Sequence, residues 1–498
     1  MDAERFRRHA HAMVDWVADY LAGAERYPVS PNVAPGEVRG RLPVSAPAGG
    51  EEMETIWRDF EEIVLPAITH WNHPRFFGYF PATNSGPSIL GELLSAALGV
   101  NAMVWHSSPA ATELEECVMD WLRQLVGLPE AFRGVIEDTA SSATLVALLC
   151  ARERATEFRS NALGMSVAGG LRVYASREAH SSVEKAVKIA GLGRENLVLV
   201  DVDDNGAMRP DALQRLMMAD QRAGRRPCAV VTTIGTTSST GIDPVAALAP
   251  IAAEHGAWLH VDAALAGAAA ILPEKQHLFE GLPLVDSFVM NPHKWLFVNF
   301  DCSAFFCRHP DVLVETLAIF PEYLKTPHDR VVTNFRDWGI PLGRRFRALK
   351  LWFVLRSFGV EGLRARLRGH LALAEALARS VDDHPHFERL APVPLQTVCF
   401  RLHPHCEAGG AVDEEQLDRW NAQLLSEVNG TGRAFLTHTR LKGRFALRFS
   451  IGQTETQREH VEEGWRVITN APVVTSCTAS TEHPPPSPTR LPKERHSP

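Results

Sequence analysis

The chain has 498 residues, of which 45% are hydrophobic and 22% are charged, proportions that are typical of a globular protein with a large core. Its formal charge of -8 comes from 59 acidic and 51 basic residues, without the basic stripe that a nucleic-acid backbone requires. We therefore expect no nucleic-acid partner. The first ten residues include several charged side chains where an export signal would have an apolar run, so we expect no export signal. The most apolar stretch is short, so we also expect no membrane span.

The eight cysteines are scattered along the chain and form no CxxC pair. Neither a disulfide framework nor a metal site is therefore predicted. Reduced cysteines that fill a core are typical of a cytoplasmic protein, and this is the location we expect.

The first segment has apolar residues at helical spacing, namely Phe6, Val14, Val17 and Leu21. This spacing predicts an amphipathic helix. A connector rich in proline and glycine follows from Tyr27. We expect an arm of this kind to lie on another subunit rather than to form a core of its own.

From Leu171 onward, short apolar runs alternate with helical stretches. This alternation predicts an α/β fold with an open, mostly parallel sheet flanked by helices, which binds ligands at the carboxyl ends of its strands. A long helical stretch after Pro341, followed by strands near 397–402 and 445–451, predicts a small C-terminal α+β domain. The expected divisions are an N-terminal helical arm at 1–85, a large domain at 86–365, the small domain at 366–472 and a proline-rich disordered tail at 473–498.

Two ionisable residues follow neighbouring predicted strands. Asp262 ends the strand AWLHVD, and the next strand, SFVMN, leads directly to Lys294. The apolar neighbours of Lys294 disfavour its ammonium form and leave an amine that can form a Schiff base. An aspartate at the same edge can keep a pyridinium nitrogen protonated. Either residue alone is equally well explained as an ordinary residue at a strand end.

The combination of motifs identifies a family. The chain contains, in order, the segments HWNHPRFFGYFP, SSPAATELE, ASSATLVALLCAR, AHSSVEKA, TIGTTS, HVDAALAG, NPHKWLFVNFDCS and IPLGRRFRALKLWFVLR. On these segments it resembles the group II decarboxylases that depend on pyridoxal 5′-phosphate (PLP), and within them the aromatic-L-amino-acid decarboxylases, from the N-terminal arm to about residue 470. The resemblance implies PLP as cofactor, the type I PLP-dependent transferase fold and a homodimer with active sites at the subunit interface.

The resemblance also assigns roles to residues. Lys294 would be the Schiff-base lysine, Asp262 the partner of the pyridine nitrogen, and His180 the residue that stacks on the ring near the substrate carboxylate. The further cofactor contacts that it implies are Thr139, Ala140, Ser141, Thr237, Ala264, Asn291 and His293. Small residues at 139–141 are equally typical of a plain helix N-cap. Relatives usually have glycine at the position of Asp138 and often an aromatic residue at that of Leu265, so the chain departs from the family pattern there.

The polar stretch at 321–338 has no regular period and predicts a mobile lid. It contains Tyr323, which matches the family position credited with returning a proton to Cα after CO2 leaves. Related aldehyde synthases tend to replace this tyrosine with phenylalanine, or the stacking histidine with asparagine. Because the chain keeps Tyr323 and His180, we expect an amine and CO2 as products, with aromatic acetaldehyde synthase as the alternative.

The resemblance places the substrate side chain among Trp71, Tyr79, Phe80 and Pro81, with Asn101 and Met103 contributed across the dimer and Gly343 leaving room. An aromatic lining favours a flat aromatic ligand, although the same rings could simply pack the dimer core. Glycine at position 343 accompanies indole or catechol substrates among relatives. We therefore favour tryptophan, 5-hydroxytryptophan and DOPA over tyrosine, phenylalanine and histidine.

Two alternatives come from other classes of protein. A PLP aminotransferase would need a group, usually an arginine, that binds a second carboxylate or a keto acid, and the sequence shows no such motif. Amine formation without added keto acid would distinguish a decarboxylase from an aminotransferase. A dimeric binding protein without catalysis would be expected to lack Lys294 or Asp262, and the chain has both.

Overall fold

A computed structural model describes residues 1–319, 331–404 and 413–476 of the chain. The strands are β1 Arg133–Glu137, β2 Leu171–Ser176, β3 Leu197–Val200, β4 Arg226–Thr233, β5 Trp258–Asp262, β6 Ser287–Met290, β7 Ser303–Cys307, β8 Phe387–Arg389, β9 Thr397–Leu402, β10 Thr437–Leu441 and β11 Arg444–Ser450. The α-helices are α1 Ala3–Ala22, α2 Glu37–Arg41, α3 Met53–Asp59, α4 Gly86–Leu98, α5 Pro109–Val126, α6 Ala140–Thr156, α7 Arg159–Leu163, α8 Ser182–Ile189, α9 Pro210–Arg222, α10 Val245–Glu254, α11 Pro292–Trp295, α12 Pro310–Leu317, α13 Arg347–Asp382, α14 Glu414–Gly430 and α15 Arg458–Thr469.

The large sheet has seven strands within the described ranges, in the order β1-β7-β6-β5-β4-β2-β3. Neighbours from β6 to β3 are parallel, whereas β7 runs antiparallel to both β1 and β6. One apolar core includes residues of α5, α9 and α10, and a second includes residues of α6 and α8. Strands that are covered by helices on both faces have mostly apolar sequences, and β4 and β5 are examples. The predicted mostly parallel sheet flanked by helices is confirmed.

The small sheet is antiparallel, in the order β10-β11-β9-β8, and it shares a core with α14, α15 and the end of α13. This arrangement confirms the predicted small C-terminal α+β unit. Val473 and Val474 are buried in the same core. The packed part of the chain therefore continues to at least residue 474, beyond the predicted end at 472.

The helix α13 links the two cores but is not continuous. Gly359 interrupts it with φ 63° and ψ 171°, a conformation that glycine adopts readily because it has no Cβ. The apolar pattern alone predicts one uninterrupted helical stretch, and this is wrong at Gly359. Side chains up to Leu371 pack in the large core, and those from Ala374 onward pack in the small one.

The N-terminal segment is joined to the small C-terminal unit by backbone hydrogen bonds of Phe77. Phe77 N donates to Phe435 O at 2.8 Å, and Ser450 N donates to Phe77 O at 3.0 Å. The helix α1, in contrast, has no buried residue. None of the helices in the three described ranges is both long and apolar enough to cross a membrane.

Candidate active site

Lys294 and Asp262 lie at the carboxyl edge of the large sheet. Asp262 ends β5, between Thr233 of β4 and Val289 of β6, and the chain after β6 enters the short helix α11 that carries Lys294. Burial lowers the pKa of Lys294, while the charge of Asp262 opposes that shift, so the two groups lie within electrostatic reach of each other. Within the described part of the chain, Lys294 Nζ makes no hydrogen bond or ion pair, and it is left available as a nucleophile.

His180 lies near the same two groups, in the loop between β2 and α8. Its Nδ1 is 2.8 Å from Ser182 Oγ and accepts a hydrogen bond from Ser182 N at 3.1 Å. A neutral ring therefore carries its proton on Nε2. Loss of solvent around the ring lowers the pKa of His180, Asp262 opposes this shift and Lys294 adds to it. Three of the four predicted catalytic residues, Lys294, Asp262 and His180, thus lie within electrostatic reach of one another.

The start of α6 can receive an anion. Its N-cap, Thr139, makes no side-chain capping bond, and the backbone N–H groups of Ala140, Ser141 and Ser142 have no acceptor among the described residues. Free N–H groups at a helix N-terminus bind phosphate. Asp138, which departs from the family pattern, accepts a hydrogen bond from Thr139 N through Oδ1 at 2.7 Å. Its carboxylate is therefore held on the backbone just before the helix.

Ala264 and Asn291 fix the loops that follow β5 and β6. Ala264 N donates to Asp262 Oδ1 at 3.0 Å, and Asn291 N donates to Ala264 O at 2.8 Å. The side chain of Asn291 in turn accepts a hydrogen bond from Ser303 Oγ at 2.6 Å. These bonds hold Asp262 and the start of α11 in a fixed relation. The roles of Ala264 and Asn291 as direct cofactor contacts remain predictions.

Two other predicted cofactor contacts differ in their surroundings. Thr237 is exposed in the turn after β4. His293 is buried, accepts a hydrogen bond from Cys302 N at 2.9 Å and packs on Phe300 with ring centroids 4.4 Å apart. Burial lowers the pKa of His293 to about 3, so it stays neutral. These contacts account for His293 as a packing residue, and its cofactor role remains a prediction.

One residue of the predicted aromatic lining, Phe80, lies beside Lys294. Trp71 stacks on Tyr79 with ring centroids 5.6 Å apart, and the ring centroid of Phe80 lies 5.3 Å from Lys294 Nζ. Pro81 packs against Gly452, where an added Cβ would lie only 2.5 Å from Pro81 Cγ. The structure therefore brings Phe80 next to the reactive amine. Tyr79 and Pro81 are its neighbours along the chain.

Asn101, Met103 and Gly343 form a second group. Asn101 Oδ1 accepts a hydrogen bond from Arg344 N at 3.0 Å, and Asn101 Nδ2 lies 3.5 Å from Met103 Sδ. A Cβ added at Gly343 would be 3.8 Å from Asn101 Nδ2. No hydrogen bond, ion pair or ring contact joins this group to Lys294 or Phe80 within the described part of the chain. Among the described residues, the two predicted parts of the substrate site are therefore not in direct contact within one chain.

Tyr323 lies outside the described residues. Sequence reasoning missed Arg448 of β11, whose guanidinium lies 5.2 Å from the ring centroid of Phe80 and contributes to the lowered pKa of Lys294. The sequence signal was an arginine in the middle of the apolar run FALRFS. No group of three or more histidine, cysteine, aspartate and glutamate side chains in the described ranges is arranged to hold a metal ion.

These features fit PLP. Lys294 Nζ is a free amine in a largely desolvated site, Asp262 is a buried carboxylate at the adjacent strand end, and α6 offers unpaired N–H groups for a phosphate. An aldehyde, a basic ring nitrogen and a phosphate are the three groups of PLP that a protein must hold. The site therefore has a partner for each of them.

Comparison with known proteins agrees with the site. Residues 35–403 match the pyridoxal-dependent decarboxylase conserved domain. The chain is 42% identical over 478 residues to phenylacetaldehyde synthase of Arabidopsis thaliana, covering 94% of this chain and 96% of that protein. It is 41% identical over 478 residues to tryptophan decarboxylase 2 of Oryza sativa subsp. japonica, covering 94% of each. The crystal structure of Oryza sativa TDC with PLP and tryptamine superposes with a TM-score of 0.91, at 38% identity, over 96% of this chain and 99% of that one. The predicted fold and cofactor are confirmed, and the chain belongs to the group II pyridoxal-dependent decarboxylases.

Proposed function

We propose that this protein removes the α-carboxylate of an aromatic L-amino acid and releases the amine and CO2. The observation that carries the proposal is the free amine of Lys294, which lies at the carboxyl edge of the sheet beside Asp262 and faces the ring of Phe80. The similarity to tryptophan decarboxylase 2 supports the same reaction.

The first part of the mechanism is the retention of the cofactor. When bound, PLP withdraws electrons from Cα of the amino acid, so that the bond to the carboxylate can break. Lys294 would hold the cofactor through its amine, and Asp262 would keep the ring nitrogen protonated. The N–H groups at the start of α6, at Ala140 and Ser141, would bind the phosphate.

The second part is the control of the substrate carboxylate and of the proton that replaces it. His180, whose ring is fixed by Ser182, would cover one face of the cofactor ring and orient the carboxylate. We propose Tyr323 as the acid that delivers a proton to Cα after CO2 leaves. The stretch at 321–338 would exclude water during this step.

The related aldehyde synthases are a second candidate function. The 42% identity to phenylacetaldehyde synthase is the observation that favours it. In that reaction the amino acid, O2 and water would give the aldehyde, CO2, ammonia and hydrogen peroxide. The presence of both His180 and Tyr323 supports the amine instead. The test is to incubate the purified protein and PLP with each amino acid and to measure amine, CO2 and peroxide. Peroxide formed in proportion to CO2 would overturn the proposed reaction.

Tyr323→Phe should shift the products from amine toward aldehyde, because Cα then lacks its proton donor and reacts with O2. We expect the amine yield per CO2 to fall at least about tenfold while peroxide rises. The matched control is Tyr27→Phe, in the N-terminal connector, which should leave the products unchanged. An unaltered amine yield in Tyr323→Phe would show that this hydroxyl does not deliver the proton.

The substrate class is best resolved by a screen of Trp, 5-hydroxytryptophan, DOPA, Tyr, Phe, His and Glu. We propose that tryptophan, 5-hydroxytryptophan or DOPA gives the highest kcat/KM, since Trp71, Tyr79 and Phe80 supply flat apolar surface and Gly343 leaves room for a large ring. Preference for glutamate would contradict the aromatic assignment without affecting the assignment of Lys294.

We also propose a homodimer in the cytoplasm. The helix α1 buries none of its residues, and an apolar groove of about 530 Å³ lies between α1 and α4. Such a surface supports a partner subunit that covers it. The six described cysteines are all free thiols and five are buried, which supports a reducing compartment.

A further inference from the structure

Arg448 is a buried cation of the small sheet. It lies on β11 with 4% of its surface exposed, and within the described ranges no carboxylate is within ion-pair distance of its guanidinium. Its Nη2 is buried and makes no hydrogen bond. A buried guanidinium that is not neutralised is costly, and such a group is typical of a functional site.

The other nitrogens of Arg448 join three separate segments. Nε donates to Ser238 O at 2.9 Å, and Nη1 donates to Tyr79 O at 3.2 Å and to Thr437 Oγ1 at 3.0 Å. Thr437 Oγ1 also accepts a hydrogen bond from Tyr79 N at 3.0 Å. One guanidinium therefore fixes the backbone of the aromatic segment on both sides of Tyr79.

Tyr79 needs this support because its backbone is in the left-handed region, with φ 51°. Residues other than glycine rarely adopt that conformation unless their surroundings impose it. The next residue is Phe80. The hydrogen bonds of Arg448 thus stabilise the turn that directs the Phe80 ring toward the lysine.

The Phe80 ring is close to two basic groups. Its ring centroid is 5.2 Å from Arg448 Cζ and 5.3 Å from Lys294 Nζ, both within the range of cation–π attraction. Burial is the main cause of the lowered pKa of Lys294, Asp262 opposes it, and the charge of Arg448 lowers that pKa further. His180 and His293 also sense Lys294: burial is the main cause of the lowered pKa of each ring, and the charge of Lys294 lowers both further.

We propose that Arg448 is a positioning residue of the active site: it holds Phe80 against the amine of Lys294 and places a permanent positive charge beside that amine. This inference rests on the proposed function. The forked hydrogen bonds act on substrate affinity through Phe80, and the charge acts on the protonation of the nitrogen that holds the cofactor. The two effects are separable because lysine keeps the charge but lacks the planar fork.

The test compares Arg448→Gln and Arg448→Lys in the PLP-loaded enzyme, with Arg440→Gln of β10 as the control, since Arg440 is an exposed arginine paired with Asp418 on the same small sheet. The first readout is the pH at which the visible absorbance of the lysine-bound cofactor titrates. Loss of the charge should raise that pH by roughly one unit in Arg448→Gln, and Arg448→Lys should titrate as the wild type does. The second readout is KM for the aromatic amino acid, which should rise about tenfold in both variants.

Phe80→Leu tests whether Arg448 acts on KM through Phe80. It also provides a test that stays informative if Arg448→Gln folds poorly. If Arg448 acts on KM through Phe80, the double variant Arg448→Lys with Phe80→Leu should have the KM of Phe80→Leu within about twofold. Additive KM increases in the double variant would overturn the proposal, as would wild-type titration and KM in Arg448→Gln. A wild-type protein that shows neither a cofactor band nor amine formation would instead contradict the proposed function, and this inference with it.

Discussion

Gly343 is the residue at which substrate size is most directly open to test. Among the described residues, a Cβ placed there would meet only Asn101 Nδ2, at 3.8 Å, so a small side chain fits without displacing these neighbours. The added atoms would occupy space that we assign to the substrate ring. Position 343 can therefore change specificity without changing the fold.

Gly343→Ser should lower kcat/KM for tryptophan relative to tyrosine by about tenfold, because a hydroxymethyl group takes up room that the larger indole needs. The measurement is the ratio of the two kcat/KM values from amine release. Gly369→Ser, at another glycine where an added Cβ has open space, is the control. An unchanged ratio would remove Gly343 from the substrate site.

Asp138 shows how one residue departs from the family pattern without removing a catalytic group. A carboxylate so close to a phosphate would be repulsive if it faced the same space. Its hydrogen bond with Thr139 N holds one carboxylate oxygen on the backbone, and its charge contributes to the raised pKa of Arg347. A neighbouring cation thus offsets part of the repulsion.

Strand β1 ends in Glu137, whose buried surroundings favour the neutral form of its carboxyl group. Glu137 is buried, its Oε1 has no hydrogen-bond partner, and burial raises its pKa from 4.5 to about 7 despite the opposing charge of Arg344. Between these two values the folded chain binds more protons than the unfolded chain. The stabilisation associated with neutral Glu137 is complete below pH 4.5 and is lost as the pH rises through 7.

Glu137→Gln should therefore stabilise the protein at pH 8 by on the order of 1–3 kcal/mol and have little effect near pH 4.5, since glutamine stays neutral. Chemical denaturation across this pH range measures the difference. The control is Glu130→Gln, an exposed glutamate just before β1. A stability difference that does not vary with pH would show that Glu137 does not titrate as described.

The sequence predicted correctly several strands of the large sheet that are buried on both faces. The apolar runs of β2, β4, β5 and β6 and the helices between them are visible in the pattern, and their order alone places Asp262 and Lys294 at one edge. The pattern did not reveal β1 and β7, which pair antiparallel with each other although they lie far apart in the sequence. The contact of Arg448 with Phe80 was missed for the same reason, because it arises from packing of the small sheet on the aromatic segment.

Two features of the molecule support a homodimer. One is the exposed apolar surface of α1 and α4, and the other is the separation of the predicted substrate site into two groups of residues. The exposed leucines of α4 include Leu90, Leu93 and Leu94, and the groove beside them is lined by Phe6 and Val14 of α1. Among the described residues of one chain, no hydrogen bond, ion pair or ring contact joins the group at Asn101 and Gly343 to Phe80. A second subunit that covers the groove and supplies the missing group would complete the site.

Leu93→Glu should dissociate the dimer, because it places a charge in the apolar groove. Light scattering coupled to size exclusion should give the mass of one chain instead of two, and amine formation should fall at least about tenfold. Leu284→Glu is the control, since Leu284 is exposed and lies outside the groove. A wild type with the mass of a single chain would contradict the proposed dimer.

The proposed function requires that Lys294 bind PLP covalently and that amine formation depend on this bond. Absorbance spectra of the wild type and of Lys294→Ala, recorded with PLP after removal of free cofactor and paired with an assay of amine release, test it most directly. We predict a visible cofactor band and amine release for the wild type, and loss of both in Lys294→Ala. A band of the same intensity in Lys294→Ala, or amine release at the wild-type rate, would contradict the account.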